Sequence, residues 1–183
     1  MKREDALVLL KDNLQTKNLV KHTYAVEAVM AELAEVLGED QERWALAGLL
    51  HDIDYDRTGD DASLHSMKGA DMLQDAGLDD ELVDAVRAHN DYHGLPRETR
   101  MAKALYAVDP LTGLIVAAAL VHPDKKLDSL DVEFVMNRYG ENSFARGARR
   151  DAIATCEEIG LELEEFIGIA LRAMTRISDD LGL

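Results

Sequence analysis

The sequence predicts an all-α protein on three observations. Apolar residues recur at steps of three and four along nearly the whole chain, the spacing that places them on one helix face. No stretch of useful length alternates apolar and polar residues as a half-buried strand does. Apolar residues make up 47% and charged residues 31% of the 183 residues, which suits a buried core with a solvated surface. We therefore expect a compact, single-domain helical bundle.

Two helices are expected in the first part of the chain. Apolar positions at helical spacing predict a helix over residues 18–37, which Gly38 would end as a C-terminal stop. Asp40 is expected to cap the next helix, which runs to residue 52. Its apolar residues cover most of its circumference, as in a buried central helix.

The middle of the chain is predicted to leave the core and return. Residues 54–61 are rich in turn formers and lack apolar periodicity, so they are predicted to form a surface loop in which Asp54 and Asp56 are solvated. Helical periodicity resumes over residues 63–76 and again over residues 79–90.

The remaining residues also have helical periodicity. A long helix is expected over residues 98–121, interrupted at Asp109-Pro110 because proline removes a backbone donor and crowds the preceding turn. Two or three amphipathic helices are expected over residues 130–181. The expected organisation is one domain over residues 1–183, with a motif-bearing core at about 18–122 and a helical C-terminal extension at about 123–183.

Charge and composition exclude several classes of protein. The chain has 20 Lys and Arg against 36 Asp and Glu, a net charge of −16, which argues against long nucleic acids as partners. The single cysteine, Cys156, cannot form an internal disulfide bond. The longest apolar run, residues 114–121, is far shorter than the roughly 20 residues that cross a bilayer. A cytoplasmic protein without membrane contact is expected.

Several histidines and one aspartate stand where a purely structural role does not predict them. His51 and Asp52 end an apolar helix, and Asp109 is set among apolar residues, where desolvating a carboxylate is costly unless a cation or donors meet it. Imidazole nitrogen and carboxylate oxygen together suit a divalent metal ion. Adjacent helical residues diverge by about 100°, so His51 and Asp52 converge on one ion only where the helix ends.

Five separated elements together carry a resemblance to a known family. They are His22, Leu49-Leu50-His51-Asp52-Ile53, His65-Ser66-Met67-Lys68-Gly69-Ala70, Ala88-His89-Asn90 and Asp109. In this order and spacing they resemble the HD-domain metal-dependent phosphohydrolase superfamily, in its H…HD…H…H…D form. The resemblance covers residues 18 to about 122 and is closest to small stand-alone HD hydrolases.

The resemblance implies a site for one or two divalent ions, with iron, manganese, nickel, cobalt, zinc and magnesium as candidates. It implies four ligands for the principal ion: His22, His51, Asp52 and Asp109. His65 and His89 match positions that hold a second ion in some relatives and contact the substrate phosphate in others. Both alternatives stay open.

The resemblance also implies a mechanism in which metal-activated water attacks phosphorus. Asp52 would orient that water, and His65 and His89 would act with it in catalysis and contact the substrate phosphate. Lys68 lies three residues after His65 and either adds a phosphate contact or faces solvent. The chain lacks the Gly-Tyr-Pro signature of the cyclic-di-nucleotide phosphodiesterases, so cleavage of cyclic di-GMP is not expected.

The expected protein is thus an enzyme that cleaves a phosphoester or phosphoanhydride bond of a small phosphorylated substrate, such as a nucleotide or dinucleotide. Two alternatives stay open: a di-iron HD-type oxygenase, and a non-catalytic module that binds a nucleotide or metal. The oligomeric state is also open. His93 and His122 are interpreted as incidental. A basic group either contacts phosphate or balances Glu157, Glu158 and other surface acids; it consists of Arg146, Arg149 and Arg150.

Overall fold

The computed structural model describes residues 1–183 and consists of helices and connecting turns, without a β-strand. The predicted all-α class is confirmed. The α-helices are α1 (Arg3–Asn13), α2 (Lys17–Leu37), α3 (Gln41–Leu50), α4 (Tyr55–Thr58), α5 (Met67–Asp75), α6 (Asp80–Ala88), α7 (Arg100–Val121), α8 (Val132–Gly140), α9 (Arg150–Ala154), α10 (Leu163–Arg176) and α11 (Ser178–Leu181). Short 3₁₀ turns occur at Asp91–His93, Leu127–Ser129 and Thr155–Ile159.

Helices α2 and α3 pack more extensively on each other than any other pair. Gly48 makes this close approach feasible, because a Cβ atom there would lie 2.8 Å from backbone atoms of Val26 and Glu27. Asp40 caps α3 as expected, its side chain accepting from the Arg43 amide. The ends of α2 and α3 that carry histidines are therefore held close together by backbone packing.

Helix α7 runs through the centre of the fold and contacts α2, α3, α6, α8, α9 and α10. The predicted interruption at Asp109-Pro110 is wrong, since α7 is continuous through Pro110. Pro110 cannot donate to the Tyr106 carbonyl, but buried Leu105 and Leu111 hold α7 in the core on either side of it. By length and composition α7 could cross a membrane, yet most of its apolar window is buried within the protein.

The C-terminal helices pack on one side of this centre, with α10 against α2, α7 and α8. The buried face of α10 carries Phe166, Ala170 and Met174, at the predicted helical spacing. Arg150 holds the turn before α9, because its guanidinium donates to six backbone carbonyls between residues 138 and 148. Arg149 pairs with Asp91 and with the exposed Asp151, in line with its interpretation as a charge that balances nearby acids, whereas Glu158 pairs with Lys103.

Two segments differ from the expected element order. Helix α1 had not been predicted, although Ala6, Leu10 and Leu14 follow the four-residue spacing of a buried helix face. The predicted surface loop over residues 54–61 contains the short α4, and Asp54 within it is fully buried. The prediction failed because turn-forming residues also build tight polar turns inside a protein.

Candidate metal centre

Six of the predicted site residues converge on one cluster. Four come from α2, α3 and α7 or their ends, and two from the turns beside α5 and α6. They are His22 on α2, His51 and Asp52 directly after α3, His65 before α5, His89 directly after α6, and Asp109 on α7.

Asp52 lies between two pairs of histidines. Its Oδ2 atom is 3.7 Å from His22 Nε2 and 3.4 Å from His51 Nε2. Its Oδ1 atom is 3.5 Å from His65 Nε2 and also 3.5 Å from His89 Nε2. A single carboxylate thus presents one oxygen to each histidine pair.

Asp109 adds a second carboxylate on the side of His22 and His51. Its Oδ1 atom is 3.0 Å from His22 Nε2 and 3.8 Å from His51 Nε2. The side chains of His22 and Asp109 are 22% and 34% exposed, whereas His51 is fully buried. The cluster therefore opens to solvent beside His22 and Asp109.

Each of these histidines is oriented by a partner at Nδ1. His51 and His89 donate from Nδ1 to the carbonyls of Gly48 and Val86, at 2.8 and 2.6 Å, in the last turns of their own helices. A carbonyl only accepts, so a proton lies on Nδ1 of each ring and Nε2 faces Asp52. Metal-binding histidines usually have this arrangement, in which the other ring nitrogen donates to a carbonyl or carboxylate.

His22 is oriented through a hydroxyl group on the neighbouring helix. Thr112 Oγ1 donates to the Asp109 carbonyl at 3.0 Å, so it accepts from His22 Nδ1, 3.2 Å away. Thr112 is fully buried. Helix α7 therefore both supplies Asp109 and fixes the ring of His22, and no sequence motif had pointed to Thr112.

His65 is oriented by Asp54, a residue that the sequence interpretation placed in solvent. Asp54 is fully buried, and its carboxylate accepts from His65 Nδ1 at 3.0 Å and from the amides of Ser66 and Gly69, each at 2.9 Å. The expectation that Asp54 is solvated is wrong, because three hydrogen-bond donors of the protein take the place of solvent around its carboxylate. Its position next to the apolar Ile53 was the feature of the sequence that could have indicated its burial.

The backbone around Asp54 is shaped for this contact. Ser66 has φ of 70°, in the left-handed region that non-glycine residues seldom adopt, and its side chain donates to the Arg87 carbonyl at 3.0 Å. A Cβ atom at Gly69 would lie 3.3 Å from Asp54 Cγ. The lack of a side chain at Gly69 and the unusual φ of Ser66 together let two amides reach one carboxylate.

Two further side chains support His65 from the other side. Asn90 Nδ2 and His93 Nε2 both donate to the His65 carbonyl, at 3.1 and 2.9 Å. The interpretation of His93 as incidental is therefore wrong, since it positions a cluster residue. His122 lies outside the cluster and contacts Asp124.

Lys68, which the sequence predicts to contact the substrate phosphate, does not contact the cluster. Lys68 is exposed on α5 and forms no ion pair or side-chain hydrogen bond. Arg149 pairs with Asp91 and hydrogen-bonds Tyr106, one turn before Asp109 on α7. The role of Lys68 in substrate binding stays a prediction.

Electrostatics of the cluster favour a bound cation. Burial lowers the pKa of His51, but the charges of Asp52 and Asp109 and the Gly48 carbonyl outweigh it and raise this pKa to about 9. Burial raises the pKa of Asp52, but His51, His89 and His22 lower it well below its usual value. The pKa of Asp109 is likewise raised by burial and lowered overall, chiefly by His22. Both carboxylates are therefore ionised at neutral pH.

The donor set fits a divalent metal ion. His51 Nε2 is buried without a hydrogen-bond partner, which is costly for a polar atom unless a ligand meets it. Ligand atoms of His22, His51 and Asp109 lie within 4.8 Å of one another, and so do those of His51, Asp52 and His89. Nitrogen and carboxylate oxygen suit iron, manganese, zinc, nickel and cobalt.

The fold and the cluster define a helical protein with a buried His/Asp cluster whose donors fit a divalent metal ion. The family model of the HD domain matches residues 19–120, more than half of the chain. The chain belongs to the HD domain family, a family of metal-dependent phosphohydrolases. The resemblance of its five sequence elements is thereby confirmed.

Curated relatives are similar over different shares of their length. Ribonuclease Y of Lawsonia intracellularis is 32% identical over 105 residues, which are 57% of this chain and 20% of that protein. An uncharacterized protein of Methanocaldococcus jannaschii is 33% identical over 68% of this chain and 74% of its own. The symmetrical bis(5'-nucleosyl)-tetraphosphatase of Bacillus subtilis is 30% identical over 60% of this chain and 68% of its own.

The chain thus covers only about a fifth of the ribonuclease Y proteins that it matches. No solved structure matches the chain significantly.

Proposed function

We propose that this protein is a metal-dependent hydrolase of small phosphate esters or anhydrides, with a nucleotide or dinucleotide as substrate. The observation that carries the proposal is the position of Asp52, with one oxygen toward His22 and His51 and the other toward His65 and His89. The Bacillus subtilis relative, a bis(5'-nucleosyl)-tetraphosphatase, supports the substrate class.

Four residues would hold the principal ion: His22, His51, Asp52 and Asp109. A second ion would be held by His65 and His89 together with Asp52. When bound, such ions polarise a phosphoryl oxygen and lower the pKa of water. In a protein that binds a single ion, the Nε2 sides of His65 and His89 would instead face the substrate phosphate.

The protein side chains also have roles of their own. Asp109 and His22 are the most exposed members of the cluster, so the substrate would enter on their side. Asp52 would accept a hydrogen bond from the attacking water, because a carboxylate only accepts and its pKa is held low. His51 is buried and fixed by Gly48, so it would hold its position without reorganising during turnover.

The test is a reconstitution assay. The protein is stripped with a chelator and reloaded separately with manganese, iron, cobalt, nickel, zinc or magnesium. Each form is assayed against a diadenosine polyphosphate, nucleoside mono- and diphosphates, bis(p-nitrophenyl) phosphate and a short RNA, with products separated by chromatography. Turnover of a small ester or anhydride is expected, and Asp52→Asn should abolish it. Absence of turnover with every metal would overturn the proposal.

One observation favours a second candidate. His65 and His89 are both in the cluster, as a di-iron oxygenase would require. Elemental analysis of protein purified without oxygen distinguishes the two functions: two irons per chain with oxygen consumption on substrate addition would favour the oxygenase. A non-catalytic module is disfavoured because all six ligand positions are present, and nucleotide binding without product over hours would revive it.

A further inference from the structure

A groove of about 350 Å³ begins at His22 and lies between α2, α7 and the last residues of the chain. Its walls are mainly apolar, with Val116 and Leu120 on one side and Leu183 at the end. Small-molecule sites have volumes of roughly 300–1,000 Å³ with mostly apolar walls and a few polar groups. The groove fits that description and shares a wall with the candidate metal centre.

The groove continues the helix faces that carry the metal ligands. On α7, Gly113, Val116 and Leu120 follow Asp109 at four, seven and eleven residues, so they lie on one stripe of the helix. On α2, Ala25 lies three residues after His22, and both line the groove. A substrate whose phosphate meets His22 and Asp109 can therefore extend along the same two helices.

Lys21 gives the groove an available positive charge. Its Nζ donates to the Leu181 carbonyl at 2.7 Å, and no carboxylate lies within ion-pair distance of it. An ammonium group has three donors, so two remain for a ligand.

We propose that this groove binds the organic part of the phosphate substrate, and that Lys21 contacts an anionic oxygen of the phosphate. This inference rests on the proposed function, because it places the phosphate at the metal centre. The class of ligand is a phosphate ester whose organic group has an apolar surface, as the base of a nucleotide does. Apolar walls favour that group by the hydrophobic effect, and the lysine adds a charge-assisted hydrogen bond.

The test measures equilibrium binding to manganese-loaded protein by calorimetry, with adenosine monophosphate, phenyl phosphate and inorganic phosphate as probes. The wild-type protein should bind both organic probes more tightly than inorganic phosphate. Gly113→Leu places a side chain in open space within the groove, where no atom lies within 4 Å of its Cβ. It should weaken both organic probes about tenfold and leave inorganic phosphate unchanged.

Lys21→Met keeps the length of the side chain and removes its charge, so it should weaken all three probes by roughly tenfold or more. Lys21→Arg should restore part of the affinity. Lys17→Met is the matched control, since Lys17 is exposed on the same helix and does not line the groove. Thermal melting of each variant checks that it is folded.

Hydrolysis assays separate this inference from the proposed function. If the wild-type protein hydrolyses a substrate but Gly113→Leu binds the organic probes as tightly as the wild type, the groove proposal is overturned and the proposed hydrolase function stands. If Gly113→Leu loses only the binding of the organic probes but the wild type hydrolyses no substrate, the groove proposal is supported and the proposed hydrolase function is overturned. Equal affinity of the wild type for adenosine monophosphate and inorganic phosphate would also overturn the groove.

Discussion

The two sides of the metal centre are built in different ways. The first, which we call the helical half, consists of His22, His51 and Asp109, carried on or directly after α2, α3 and α7. The second, the turn half, consists of His65 and His89, which lie in the turns before α5 and after α6. The packing of α2, α3 and α7 on one another positions the first half, whereas His65 in the second half is held by hydrogen bonds around Asp54.

The turn half is held by a buried polar network around Asp54. Its carboxylate accepts three hydrogen bonds, and one donor comes from Ser66, whose φ is positive. Such networks are sensitive to the loss of any member, because the remaining buried groups lose their partners. Mutations in the core should therefore disturb the helical half, whereas single polar substitutions should disturb the turn half.

Removing the residue common to both halves should have the largest effect. Asp52→Ala deletes the oxygens that face all four histidines, so activity should fall about a thousandfold or more. Elemental analysis should find the metal content reduced. Asp60→Ala is the control, because Asp60 is an exposed acid in the same segment without an ion pair. Near-normal activity of Asp52→Ala would contradict a shared ligand.

Breaking the helical half alone requires a change in the packing of α2 on α3. Gly48→Ala puts a Cβ atom 2.8 Å from backbone atoms of Val26 and Glu27, which cannot move easily. We expect the free energy of unfolding to fall by about 1–3 kcal/mol, measured by urea denaturation. Gly113→Ala, on an open helix face, should instead raise it by about 0.5–1 kcal/mol. Equal effects would show that close packing at Gly48 is unimportant.

Breaking the turn half alone requires the loss of Asp54. Asp54→Ala leaves His65 and the Ser66 and Gly69 amides without their buried acceptor. Because the substitution removes an orienting partner and no ligand, we expect activity to fall about 10–100-fold. One metal equivalent should be retained by the helical half. Asp60→Ala is the control, because Asp60 is an exposed acid of the same segment. Loss of all metal in Asp54→Ala would contradict independent halves.

Proton competition should be strongest in the helical half. The folded pKa of His51, about 9, lies above its unfolded value, so in metal-free protein its stabilising contribution is present below pH 6.5 or so and is lost as pH rises through about 9. For Asp52 and Asp109 the folded pKa is lowered, so their contribution is present above about pH 4 and lost on acidification.

An ion requires His51 Nε2 without a proton, so metal affinity should increase with pH up to about 9. Chelator competition between pH 6 and 9 measures this increase, and urea denaturation of metal-free protein measures the opposing loss of stability. His51→Gln should remove the stability change over this range. A metal-free protein of constant stability between pH 6.5 and 9 would contradict the assigned direction of the His51 pKa.

The smallest effect is expected at Ser66. Ser66→Gly relieves a positive φ, worth about 1 kcal/mol, and loses the hydrogen bond to the Arg87 carbonyl, worth about 1 kcal/mol. The two changes should nearly cancel. Ser66→Ala keeps the positive φ and loses the hydrogen bond, so denaturation should show it to be less stable than Ser66→Gly by about 1 kcal/mol. The reverse order would contradict strain at this residue.

Much of the fold and of the cluster could be predicted from local sequence. Periodic apolar residues predicted α2, α3, α6 and α7, because one helix face must be buried whatever its partner. The spaced histidines and aspartates predicted the members of the cluster through a family resemblance. The predicted break at Pro110 was wrong, because packing on both sides of Pro110 keeps α7 continuous. The local sequence does not show that packing.

The sequence by itself determined the helical class, the metal-binding residue types and the acidic surface, since each follows from local spacing or composition. Only the tertiary structure decided that Asp54 is buried, that Thr112 orients His22 and that His93 supports His65. It also decided how Asp52 divides its two oxygens and where Lys21 meets a groove. These features depend on residues distant in the chain that meet only when the helices pack, so no local pattern encodes them.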